Sequence, residues 1–242
     1  MALGPDRRYM TRSQADAAQI DVGLRSYMLR VYNYMSLGVA FTAALSMIVA
    51  MDVGLVQTIS SMFWVFFIGI IGFGFIGPRL MMTKSVGVAQ ICFWAYAALW
   101  GLALGPIIFR FAQIDPMLIA QAFFITAGTF AGMSLLGYTT KKNLSAFGTF
   151  FAMATIGLLI AIVVNAIFFQ SVGGSLVISM LVVLVFAGIT AWETQEIKQM
   201  YYEGDGHDIA TRKSIFGAFI LYGSFVTLFI HILNILGIMR GE

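Results

Sequence analysis

Residues 186–195, Phe-Ala-Gly-Ile-Thr-Ala-Trp-Glu-Thr-Gln, close a stretch that carries no charged side chain from Asn143 to Trp192. A run of that length holds two helical crossings of a bilayer, at about 20 residues each, with a turn between them. It ends on an acid, Glu193. A carboxylate at or just inside the hydrocarbon boundary is costly to keep and by default marks a functional site. The position also fits a helix that is simply leaving the lipid, with Glu196 and Lys198 following into water.

Working outward, the rest of the chain has the same character. It is 60% hydrophobic and only 10% charged, where a soluble domain is nearer one quarter charged. This composition implies an all-α integral membrane protein, a seven-helix bundle in one membrane domain. The apolar runs are continuous rather than alternating, which excludes a β-barrel reading. Spans are expected at about Val31–Met51, Ile59–Gly77, Ser85–Ile108, Pro116–Gly137, Gly148–Phe169, Ser175–Trp192 and Ile215–Met239. Residues 1–30 read as a cytoplasmic arm, 31–239 as the membrane domain and 240–242 as a tail. No signal-peptide core precedes the first span, which would itself target the chain to the membrane. Asp115-Pro116 has the form of a helix start, an N-cap followed by proline in the first turn. The prolines Pro5, Pro78, Pro106 and Pro116 all lie in the tail or near segment ends, where a missing N–H costs least.

Charge placement gives the orientation. Of fourteen Lys and Arg residues, twelve fall in the tail with the start of the first span and in the 2–3, 4–5 and 6–7 loops. Only Arg110 and Arg240 fall on the other side. The positive-inside rule then puts the N-terminus in the cytoplasm and the C-terminus outside. The same placement explains the net charge of +3 without nucleic acid. The single cysteine, Cys92, excludes an intrachain disulfide framework and a thiolate metal site. Glycines at helical spacing (Gly101 with Gly105, Gly128 with Gly132, and Gly69, Gly72 and Gly77) read as helix-packing positions.

The seventh span carries a polar stripe. Ser224, Thr227, His231 and Asn234 are spaced three, four and three residues apart, within about an 80° sector at 100° per residue. Such a stripe faces the bundle interior or water, either as interhelical hydrogen bonds or as the lining of a polar pathway. Asn165, Gln121, Thr126 and Gln90 are candidates for the same interior. Arg79 follows the second span on the side where Glu193 ends the sixth, so it reads either as an Arg–carboxylate latch or as an arginine snorkelling to lipid phosphate. The acid-rich turn around His207 lacks the calcium-loop pattern and reads as solvated. There is no HExxH, Walker loop or Gly-x-Ser-x-Gly, so no enzyme is expected and no cofactor is called for.

Several stretches together resemble the Bax inhibitor motif family of membrane proteins. Thr126-Ala-Gly-Thr129 followed by Phe130-Ala-Gly-Met-Ser-Leu-Leu-Gly-Tyr-Thr-Thr-Lys-Lys-Asn-Leu-Ser145 resembles its fourth-helix signature. Ala95-Tyr-Ala-Ala-Leu-Trp-Gly-Leu-Ala-Leu-Gly-Pro106 resembles its third helix, Ala191-Trp-Glu-Thr-Gln195 its sixth and Leu221-Tyr-Gly-Ser-Phe-Val-Thr-Leu-Phe229 its seventh. The resemblance implies a bacterial inner-membrane protein with the seventh helix central. It also implies a pH-sensitive calcium leak, gated by two aspartates that share a proton and latch to a basic residue. Some bacterial relatives are linked instead to control of a membrane-anchored ATP-dependent protease. This sequence departs from the pattern at the gate. Glu193 stands for the sixth-helix aspartate and Ser224, which cannot titrate, for the seventh-helix one. The expectation is therefore a calcium or cation leak with a weakened or shifted pH response. Glu193, Ser224 and Arg79 would be the gate, Thr227, His231, Asn234 and Asn165 would line the pathway, and Glu193 would be a weak, transient calcium contact. The alternative is a regulator that binds another membrane protein such as a protease.

Overall fold

The computed structural model describes residues 12–241, with side chains described from residue 22 onward. Arg7 and Arg8 of the expected N-terminal arm, and Glu242 of the tail, lie outside the described residues.

Among the described residues eight α-helices follow one another: α1 (Arg12–Ala50), α2 (Val53–Ser61), α3 (Phe63–Thr83), α4 (Val86–Ile114), α5 (Pro116–Thr139), α6 (Gly148–Val164), α7 (Val172–Gln199) and α8 (His207–Met239). Among the described residues there is no strand. Seven of the helical segments are long and apolar enough to cross a membrane, and they overlie the seven expected spans. The additional helix, α2, is short. Asp52 caps it by accepting from the Gly54 and Leu55 amides at 2.8 and 3.1 Å. The first helix is continuous through residues 30 and 31, so the expected boundary there is not a break in secondary structure.

Asp115 and Pro116 start α5 as expected, with the Asp115 carboxylate accepting from the Met117 amide at 2.9 Å. Two other prolines do not sit at helix ends. Pro78 and Pro106 are inside α3 and α4, which continue beyond them. A spanning helix tolerates this because neighbouring helices and local adjustment take up the freed carbonyl.

The eighth helix is the axis of the bundle. It packs against α1, α3, α4, α5 and α7. Fifteen of its thirty-three residues are buried, whereas none of α6 is, so α6 is a peripheral helix held by α7. The α1–α4–α8 core is pinned by Thr42, whose hydroxyl donates to the Ala97 carbonyl at 3.0 Å and meets the Tyr222 hydroxyl at 2.6 Å. Gly101 and Gly105 bring α4 onto Leu45 and Val49 of α1, and Gly77 lies against Phe219. Gly137 does the same between α5 and α7, where a Cβ would strike the Ala191 carbonyl oxygen. The other glycines expected to pack do not: Gly69, Gly72, Gly128 and Gly132 have open space where a side chain would be. Helical spacing of small residues shows that close approach is possible, while the partner helix decides where it happens.

At the Lys/Arg-rich end of the bundle, the cations cap helices. Lys198 donates to the Tyr138 carbonyl at 2.8 Å, Lys213 to the Met200 carbonyl at 2.9 Å, and Arg212 to the Met82 and Lys84 carbonyls at 2.7 and 2.9 Å. The orphan carbonyls that end α5, α7 and α3 are thus met by positive charge, as the helix dipole favours. At the opposite end Arg240 pairs with Asp115, tying the end of α8 to the start of α5.

Candidate functional site on the seam between α7 and α8

The five side chains of Trp192–Glu196 reach four different parts of the bundle. Trp192 lies against Phe151 of α6, with ring centroids 6.1 Å apart. Thr194 meets Ser134 of α5 at 2.9 Å, and Ser134 meets Tyr32 of α1 at 2.6 Å. Gln195 accepts from the Leu144 amide at 2.7 Å and donates to the Lys142 carbonyl at 2.9 Å, clamping the loop between α5 and α6. Glu196 accepts from the Ser145 hydroxyl in the same loop. Glu193 faces α8, where the Ser224 hydroxyl donates to its Oε2 at 2.7 Å.

Five residues separate Glu193 from Lys198, about 7 Å along the axis at roughly 1.5 Å per residue. Glu193 is therefore well inside the ring of charges that ends the bundle. It is half-buried, and Ser224 is fully buried. Among the described residues no basic side chain forms an ion pair with Glu193. Arg79 is exposed on α3 and does not make the latch that the sequence allowed. The reason is positional. Arg79 lies on the outward face of α3, two residues beyond the buried Gly77, and Ser224 reaches the carboxylate instead.

Farther along the seam the stripe of α8 meets two serines of α7. Asn234 donates to Ser175 Oγ at 2.9 Å and to Ser179 Oγ at 2.8 Å, and Ser179 Oγ lies 3.0 Å from His231 Nδ1. Thr227 turns its hydroxyl back to the Gly223 carbonyl of its own helix at 2.9 Å. The expected stripe is thus two clusters on one seam. Glu193 with Ser224 lies towards the basic end, and His231, Asn234, Ser175 and Ser179 lie towards the other. Ser224 and His231 are about 10 Å apart along α8, at roughly 1.5 Å per residue.

Asn165 is not part of this line. It sits in a π-helical turn, Asn165–Phe169, that ends the fifth span, and its amide bonds to the backbone of Ser171. Gln121 is exposed on α5, Gln90 is exposed on α4, and Thr126 bonds within α5. His207 and Asp208 are exposed neighbours, 3.6 Å apart. Ser175 and Ser179 were missed in the sequence, as were Ser134 and Thr194. The available signal was the four-residue spacing of two serines in an otherwise apolar span, matching that of the stripe opposite.

The profile of the family described as inhibitor of apoptosis-promoting Bax1 matches residues 24–241, nearly the whole chain. The chain belongs to the Bax inhibitor-1 family. Among its relatives, the inner membrane protein YbhL of Escherichia coli (strain K12) is 35% identical, over 90% of this chain and 94% of that one. Protein RP147 of Rickettsia prowazekii is 39% identical over 91% of this chain and 92% of its own length. A Deinococcus radiodurans protein is 37% identical over 88% and 90%. Glu193 and Ser224, the two positions that the resemblance singles out, touch each other across the seam.

Proposed function

We propose that this Bax inhibitor family protein is a cation leak pathway of the bacterial inner membrane, with calcium as its cargo. The basic end, including the N-terminus, would face the cytoplasm. The observation that carries the reading is the Glu193–Ser224 contact: an acid inside a spanning segment, answered by a hydroxyl rather than a cation. Such an acid is costly to keep in a spanning segment and by default marks an ion or proton pathway. The hydroxyls and amides farther along the same seam continue the polar line. A hard cation takes oxygen ligands, and one carboxylate with hydroxyls holds it only in passing.

The test is calcium entry into dye-loaded liposomes holding the purified protein, followed from about pH 5 to 8, the range in which a histidine changes charge. Flux above protein-free liposomes is expected, with its pH dependence removed by Glu193→Gln. Folded, inserted protein that passes no calcium at any pH would overturn the proposal.

The second reading, a regulator bound to another membrane protein such as a protease, is favoured by one feature. The fifth span, Ser145–Phe169, buries none of its residues and leaves a full helix face for a partner. A protease that co-purifies with the wild type and is lost when bulky residues are placed on that face would support it.

A further inference from the structure

A lateral cavity of about 550 Å³ opens in the bundle wall, with α3 and α6 as its sides and α4, α7 and α8 behind. Its volume is within the ~300–1,000 Å³ of small-molecule sites. The lining is apolar and rich in aromatic rings, among them Phe63, Phe66, Phe67, Trp100 and Phe186, and it holds no Lys or Arg. At its back is His231.

The hydrogen bonds around His231 fix which nitrogen carries the proton. Asn234 Nδ2 can only donate, so Ser179 Oγ accepts from it. The Ser179 proton is then free to go to His231 Nδ1, which accepts it. The imidazole N–H is left on Nε2, and Nε2 has no hydrogen-bond partner among the described residues. It is not among the buried unsatisfied atoms either, so it is open to the cavity. Thr227 spends its own proton on Gly223 and offers no second donor. The Trp100 indole N–H is also unpaired among the described residues but is itself fully buried. That leaves His231 Nε2 as the accessible N–H donor, with the Ser60 and Thr155 hydroxyls in the same lining. A donor in an apolar cavity in a membrane calls for an acceptor.

Depth and lining choose the acceptor. Nine residues separate His231 from Arg240, about 13 Å along the helix at ~1.5 Å per residue. A glycerolipid ester carbonyl, tethered at the headgroup, does not sit that deep. A fatty-acid carboxylate would want a cation, and the lining has none. A planar ring stacks on the aromatic walls. We infer that this cavity binds a lipid-soluble quinone, its ring between the aromatic side chains, one carbonyl accepting from His231 Nε2, and its tail leaving between α3 and α6. The site shares Thr227 and His231 with the proposed cation path but not Glu193 or Ser224, and quinone retention is read without any ion flux, so either reading can fail alone.

The test uses the whole protein in nanodiscs made from synthetic phospholipid. The probe is a benzoquinone with a ten-carbon alkyl tail, and quinone retained above empty nanodiscs is measured by its absorbance. Saturable retention is expected, weakened about tenfold by His231→Phe, the size of one hydrogen bond. Leu158→Trp, on the exposed helix α6, fills the cavity without touching the Asn234–Ser179–His231 chain and should abolish retention. Retention no greater than in empty nanodiscs would overturn the assignment. So would equal competition by decylbenzene, stronger competition by decanoic acid, or unchanged retention in folded His231→Phe or Leu158→Trp protein.

Discussion

Ser224 Oγ donates to Glu193 Oε2 at 2.7 Å, and among the described residues this is the one side-chain hydrogen bond that the acid receives. Removing the donor leaves a carboxylate inside a spanning helix with no side-chain partner. Ser224→Ala is therefore expected to lower stability by about 1–2 kcal/mol, above the usual interhelical bond in a membrane because the acceptor is an acid. Thermal unfolding in detergent checks it. If the bond is the cause, Glu193→Leu, which removes the acceptor, combined with Ser224→Ala should cost less than the sum of the two single changes.

Ser224→Asp tests the gate from the other direction. The Ser224 side chain already reaches Glu193, so an aspartate there gives two carboxyls within hydrogen-bond distance. Such a pair titrates as a unit and shares a proton. Calcium flux in liposomes is expected to depend more steeply on pH in Ser224→Asp than in the wild type. Identical profiles would show that this pair does not set the response.

The fold was legible because it is written in long-range composition. Seven apolar runs and the alternation of charge between their ends are properties of whole segments, and no single contact can overturn them. The site was legible only in part. The stripe on α8 could be read because its spacing repeats at helical period, and Glu193 could be read because an acid is rare in such a run. The partners could not. Arg79 has the right charge and the right end of the bundle, but which way it faces depends on the rotation of α3, which an almost uniformly apolar helix does not encode. Asn165 has the right polarity, yet the π-turn at the end of α6 directs it to the local backbone of Ser171. Gly128 and Gly137 lie in the same helix with the same freedom to pack, and only the second meets a neighbour.

That contrast gives a direct comparison. A Cβ on Gly137 would meet the Ala191 carbonyl oxygen, backbone that cannot swing aside, immediately before Trp192 and Glu193. Gly137→Ala is expected to cost about 1–3 kcal/mol as overpacking, while Gly128→Ala, in open space, should stay within about 0.5 kcal/mol of wild type. Detergent unfolding midpoints of the two variants, measured side by side, decide it. The shift of α7 needed to accommodate the methyl group should also lengthen the Glu193–Ser224 contact, so Gly137→Ala is expected to change flux where Gly128→Ala does not.

Arg212 holds the basic end together by a bond to another helix. It reaches from the first turns of α8 to the Met82 and Lys84 carbonyls that end α3. Two carbonyls are satisfied by one guanidinium nitrogen, Nη1. A lysine keeps the charge but is a flexible point donor and would not hold both carbonyls equally. Arg212→Ala is expected to free residues 82–85, seen as faster proteolysis and amide exchange there, with Arg212→Lys intermediate. Because the charge is retained in the lysine variant, any difference between it and the wild type reports the geometry of the cap rather than the positive-inside bias. Equal protection in Arg212→Lys and wild type would mean that charge at this end of the bundle is enough, and that the two carbonyl bonds add nothing to it.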